Sequence, residues 1–327
     1  MFSSKLIRAG LIFLLLALLV SLNLGQRAER RRGQIVDIDM AIAEQGGFTP
    51  AALRIRAGEP VTLRFHGGDV AHAIAIGPGL GLDLGVIAPG ETREITTSFA
   101  EPGVYTFYCN LWCSPEHWRM RGVIDVVDAG GSIPPAASDP VIAALIAAGI
   151  DIDAAHQAGH AGAASPFSPA LLTAPPPDLA RPSALAAADW QRTLAPADAF
   201  AILGRAYPSQ PETAIAATAA AWWVESSRSN PDLARAADLY AKNCSSCHGA
   251  NGQGDGMAAA LATTAPVAFT AANLAERRSD VLYAKIRRGG MGTGMPNFGT
   301  VFTPQETWAL VDYIWLLAFE DVPTAPR

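Results

Sequence analysis

The sequence predicts a multidomain chain: a single N-terminal transmembrane helix, an all-β Greek-key sandwich, a linker with short helices, and an all-α C-terminal domain. Three observations carry that expectation. Short alternating apolar and polar runs, separated by Gly-, Pro- and Asp-containing turns, fill 34–128, the pattern of half-buried strands. The composition then turns to Ala, Gly, Pro and Ser over 129–227, as in linkers. Beyond it, 228–327 places two capped helical patterns on either side of a C-S-S-C-H run. Residues 1–33 complete the division.

In that first segment Ala9 to Gly25 carries no charge, near the short limit for crossing a bilayer. It is longer than a usual signal-peptide core and no small-residue cleavage site follows, so an uncleaved anchor is expected, with a cleaved signal peptide as the alternative. Arg27, Arg30, Arg31 and Arg32 outnumber Lys5 and Arg8 across the span. Taken alone, that bias would leave the bulk of the chain in the cytoplasm, although charge orients large translocated domains poorly. The net charge of −6 argues against nucleic acid as a partner.

Strands are expected over Ile35–Ile42, Ala52–Arg56, Val61–Phe65, Glu94–Phe99, Val104–Tyr108 and Val123–Val127. Between the last two lies C-x-x-x-C-x-x-x-H-x-x-M: Cys109, Cys113, His117 and Met120. Two thiolates, an imidazole and a thioether are soft ligands that select copper over Mg, Ca or Mn. His72, just after a GGDV turn, is the expected further ligand, since loops of a Greek-key sandwich can meet at one end. A mononuclear site of His72, Cys113, His117 and Met120 would leave Cys109 a free thiol beside copper, open to oxidation. Two thiolates four residues apart suit a binuclear centre instead, with both sulfurs bridging and one imidazole on each copper.

In the linker, Pro140 to Ala148 reads as one short helix, and His156 and His160 read as a solvated stretch rather than a metal clamp. Asp198–Ala206 and Glu212–Glu225 are Ala-rich and helical, with Trp222 and Trp223 expected to pack against the neighbouring domain. Asn230 is the expected cap of the next helix, with Pro231 at its first position. Thr303, Pro304 and Glu306 form a capping box at the start of the last.

C-S-S-C-H at 244–248 reads as a c-type haem attachment site: Cys244 and Cys247 bond one haem covalently and His248 is the axial iron ligand. The sixth ligand is expected at Met295, in Met-Pro-Asn-Phe, with Met291 as the fallback. From about Asn230 to Glu320 the chain resembles a class I cytochrome c. His/Met ligation raises the haem potential, which suits electron transfer. All four cysteines are then committed to metal centres.

With His72, Cys109, Cys113, His117 and Met120 in place, the chain resembles subunit II of the haem–copper terminal oxidases. That family's cupredoxin domain holds a binuclear copper (CuA) site, and some of its forms carry their own cytochrome c. The resemblance implies that His72 and Met120 serve one copper, and His117 and the backbone carbonyl of Leu111 the other. It implies an electron-entry subunit, not catalytic alone, that takes electrons from an external cytochrome c or cupredoxin. They would pass through haem c and CuA to a catalytic haem–copper subunit I. Location on the outer, periplasmic or extracellular, side of the cytoplasmic membrane as a single-pass protein is implied too. Three features depart from the family pattern: one membrane helix where two are usual, Leu111 where Glu is frequent, and no aromatic run ahead of the first strands. Trp112 and Trp118 stand beside the copper ligands instead. An electron-input subunit of a CuA-containing nitric oxide reductase and a freestanding membrane-tethered electron carrier are the alternatives.

Overall fold

Nine strands form two packed sheets in the computed structural model, which describes residues 33–152, 167, 176–290 and 293–320. The strands are β1 (Gln34–Met40), β2 (Phe48–Thr49), β3 (Ala52–Arg56), β4 (Pro60–Gly67), β5 (His72–Gly77), β6 (Leu82–Ile87), β7 (Thr92–Ser98), β8 (Gly103–Cys109) and β9 (Arg121–Val127). Their order is β2-β1-β4-β7 in one sheet and β3-β9-β8-β5-β6 in the other. Alternation drives the packing: Val61, Leu63 and Phe65 of β4 are buried while the residues between them are not, as a two-residue period requires. They meet Ile38, Phe107, Ile124 and Val126 in the space between the sheets. Each fully buried side chain of this size contributes about 1.5–3 kcal/mol relative to exposure.

The strands expected from the sequence omit β2, β5 and β6, and the structure shows why for β5. Every residue of HAIAIG is buried, so no polar alternation marks it. Ile74 and Ile76 enter the sandwich core, whereas Ala75, with Tyr108 of β8, joins the core of the helical region. A strand covered on both faces reads as a continuous apolar run. His72, just after the GGDV turn, is the first residue of that strand.

Eight α-helices follow among the described residues: α1 (Pro140–Ala147), α2 (Pro196–Ala206), α3 (Glu212–Arg228), α4 (Leu233–Asn243), α5 (Ser245–His248), α6 (Ala271–Leu274), α7 (Ser279–Arg288) and α8 (Pro304–Phe319). Asp139 caps α1, accepting from the Val141 and Ile142 amides, and it pairs with Arg287 of α7 at 2.6 Å. The capping box of α8 is present: Thr303 Oγ1 accepts from the Glu306 amide and Glu306 Oε2 from the Thr303 amide. The cap of α4 lies later than expected. Asp232 occupies the cap position, while Asn230 accepts from the Asp232 amide at 2.9 Å and donates to Asp312 at 2.7 Å. Asn230 is held by that buried carboxylate, so Pro231 sits in the turn before the helix.

Helices α2 and α3 share one core with the C-terminal helices. Trp223, fully buried, stands edge-on to Trp190 at 4.9 Å and to Trp315 of α8 at 5.0 Å. Trp222, half-buried, packs against the same core and lies under the Arg181 guanidinium. Among the described residues no helix is long and apolar enough to cross a membrane; the expected span Ala9 to Gly25, His156, His160 and Met291 lie outside them.

Candidate metal centres

The loop 110–120 leaves β8 and returns into β9, and backbone pairing closes its mouth. The Cys109 amide donates to the Met120 carbonyl at 3.1 Å, so the backbone at the first and last residues of the motif is tied together. The Asn110 amide donates to Ala73 O at 2.9 Å, which registers the loop against the strand that begins with His72. A short 3-10 turn, His117–Arg119, then brings His117 and Met120 inward. The Glu116 amide donates to Glu44 and holds the loop against the 3-10 turn Ala43–Gln45.

These ties bring the sequence-predicted residues together. One ligand atom each from His72, Cys109 and Cys113 lie within 4.8 Å of one another. Cys109 Sγ is 3.9 Å from His72 Nδ1 and Cys113 Sγ is 3.6 Å from His117 Nδ1. Met120 Sδ is 3.3 Å from Cys113 Sγ, and the Leu111 carbonyl is 3.3 Å from Cys109 Sγ. His72, Cys109, His117 and Met120 are buried and Cys113 is half-buried.

The charge balance matches soft-metal chemistry. A hydrogen bond from the Cys113 thiol stabilises the Cys109 thiolate and holds it far below the usual thiol range, while Cys113 beside that charge is pushed up. Two adjacent thiolates need a cation to lose the second proton, which metal binding supplies. Burial pushes His72 down, but Cys109 and Asp69 outweigh it and raise it overall.

Asp69 was not singled out from the sequence. Its Oδ1 lies 2.8 Å from His72 Nε2, and an ionised carboxylate only accepts, so Nε2 carries the proton and Nδ1 is left to face the sulfurs. Burial pushes Asp69 up, yet hydrogen bonds from the Ile42 amide, His72 and the Val70 amide hold it below the usual carboxylate range. The D-x-x-H spacing of 69–72 was the available signal; Asp in a turn is too common to stand out.

In the helical region α4 runs directly into α5, which carries Cys244 as its cap, Cys247 and His248. His248 Nδ1 lies 3.3 Å from the Val267 carbonyl and its ring stacks on Phe269 at 4.5 Å. With Nδ1 donating, Nε2 is the nitrogen available to iron. Burial lowers His248 below its usual value, which favours the neutral, ligating form. Burial likewise pushes the Cys244 thiol up to about 12. Met295 lies half-buried in a loop pinned by its own carbonyl, which accepts from the Gly290 amide at 3.1 Å. Gly289, at φ 78°, has no room for a side chain, since a Cβ there would lie 2.7 Å from the Met295 oxygen. The residues present fit copper at the β-sandwich end and a haem at α5.

Two family models match different parts of the chain. Residues 11–124 match the family model of the cupredoxin-like domain, and 231–314 match that of cytochrome c oxidase, cbb3-type, subunit III. No curated protein matches the chain. Among solved structures, the metal-binding domain of the Streptococcus pneumoniae D39 Cu(I)-exporting P-type ATPase CopA is similar at 22% identity. That match covers 28% of this chain and 84% of the other, with a TM-score of 0.23. Auracyanin B matches at 19% identity over 29% of this chain and 88% of its own, with a TM-score of 0.24. A heme-copper terminal oxidase dimer seen by cryo-EM matches at 21% over 36% and 97%, with a TM-score of 0.25. Residues 11–124 are thus similar to the cupredoxin-like domain, and 231–314 to subunit III of cbb3-type cytochrome c oxidase.

Proposed function

We propose that the chain is the electron-entry subunit of a membrane-bound haem–copper terminal oxidase, similar to cytochrome c oxidase subunit II. The observation that carries this reading is the convergence of both cysteines with His72, His117 and Met120 in one buried site. A mononuclear copper site would need only one of the thiols, whereas here both sulfurs converge with the imidazoles. The pairing of a cupredoxin-like domain with a cytochrome c domain supports electron transfer.

In this reading His72, Met120, His117, the Leu111 carbonyl, Cys109 and Cys113 would together hold two copper ions. Cys244 and Cys247 would anchor one haem c, and His248 and Met295 would ligate its iron. Bound copper and haem would supply reversible one-electron chemistry. The residues of this chain hold the metals, keep the ligand frame fixed by the Cys109–Met120 and Asn110–Ala73 backbone bonds, and exclude water by burial. Residues 1–33 anchor the chain in the cytoplasmic membrane, with the copper and haem domains on its outer side. An external cytochrome c or cupredoxin is the donor and a catalytic haem–copper subunit I the acceptor.

Electron paramagnetic resonance of the copper-loaded chain tests the site. A hyperfine pattern shared between two copper nuclei is expected; a pattern from a single nucleus would overturn the binuclear assignment. Co-purification with a haem-containing membrane subunit is expected from the native host. A monodisperse single chain would instead point to a freestanding carrier.

A further inference from the structure

The strands that deliver the copper-site residues turn their other face to the cytochrome domain. Phe107 and Cys109 of β8 belong to the sandwich core, and Tyr108 between them joins the helical core beside Ala75 of β5. The approach is backbone-close: a Cβ on Gly77 would lie 2.1 Å from the Val301 carbonyl. Thr106 donates to Thr300 at 2.9 Å across the same face. The docking is thus written into the two-residue period of β5 and β8.

Two links then join metal-site neighbours across this interface. Arg121, the residue after Met120, donates to the Asn297 carbonyl and lies over the Phe298 ring at 5.0 Å. Asn297 and Phe298 directly follow Met295-Pro296. On the other side Asn110, the residue after Cys109, donates to Asp83 at 3.2 Å, and Asp83 accepts from Lys242 at 2.8 Å. Lys242 stands two residues before Cys244. The lysine is partly exposed and shared with Asp238, so solvent screens that link. The arginine link is directional, because a planar guanidinium both donates and stacks.

We propose that Arg121 is a positioning residue for electron transfer within the chain, fixing the Met295 turn of the cytochrome domain onto the strand that leaves the copper site. The proposal rests on the functional reading above. One electron leaves the haem site, oxidising it by one, and reduces the copper site by one; no proton moves and no bond breaks. An external one-electron donor protein restores the haem site.

The test uses the full-length chain in detergent, with both centres loaded and a photoexcited flavin as reductant. Arg121→Ala should slow redistribution of the electron from haem to copper about tenfold, the loss expected from one charge-assisted hydrogen bond. Haem and copper spectra should stay unchanged, and Arg121→Lys should recover part of the rate. Hydrogen exchange of residues 295–302 should rise in Arg121→Ala even without copper. Unchanged exchange in Arg121→Ala overturns the proposal, and so does raised exchange with an unchanged transfer rate. If the unmodified chain shows no two-copper signal, the functional reading fails, and the copper-free exchange measurement still decides whether Arg121 fixes the turn.

Discussion

His72 Nε2 lies 2.8 Å from Asp69 Oδ1, and the opposite nitrogen of the same ring lies 3.9 Å from Cys109 Sγ. One side chain is thereby held from behind by a carboxylate and aimed forward at a thiolate. Outer partners of this kind set ring orientation and ligand basicity. Asp69→Ala should weaken copper binding by about 10–100-fold, read as competition with a chelator of known affinity. Equal affinity in the variant would remove Asp69 from the site.

The two thiols act as one unit, because the Cys113 thiol, ahead of the His117 and His72 imidazoles, stabilises the Cys109 thiolate. Cys109→Ser and Cys113→Ser should each abolish the two-copper resonance while leaving the haem absorption of the same sample intact. Survival of the resonance in either variant would contradict a shared centre.

Trp223 joins residues 183–228 to the cytochrome helices through its edge-on contacts with Trp190 and Trp315. Truncation of a fully buried tryptophan costs about 3–5 kcal/mol. Trp223→Ala should therefore lower the unfolding midpoint of the haem domain in a denaturant titration, while copper-site absorption is lost at its original midpoint. A shift of both transitions together would mean that the two domains unfold as one unit.

Asp83 makes the interface sensitive to acid. Burial pushes its carboxyl up, but hydrogen bonds from Lys242, the Gly85 amide and Asn110 outweigh this and hold it below the usual carboxylate range. With a depressed native pKa, the unfolded chain takes up protons first as pH falls. The contribution is thus complete above the unfolded value and disappears as pH falls through the folded one. The side chains of Lys242 and Asp83 are 38% and 25% exposed, so solvent screening limits the pair to less than about 1 kcal/mol. Asp83→Asn should destabilise the chain by that small amount at neutral pH. The difference from the unmodified chain should close in acid, as followed by thermal melts across pH.

Much of the site was legible because its signals are local. The spacing of Cys109, Cys113, His117 and Met120 is set within one loop, and C-S-S-C-H within one turn of helix, so residue type and separation carried the chemistry. Capping of α8 by Thr303 and Glu306 was legible for the same reason. Asn230 misled, since its side chain answers to Asp312, far along the chain.

The amino-acid order by itself determined the ligand types, their spacing and the succession of a β-rich and a helical region, all consequences of short-range periodicity and donor chemistry. Tertiary structure alone decided that His72 begins a strand buried on both faces, and that Asp69 orients it. It also decided that Trp223 joins the cytochrome core and that Arg121 reaches the turn after Met295. Each of these depends on which surfaces meet across long sequence separations, and a two-residue or 3.6-residue period marks only that a face is covered, never by what.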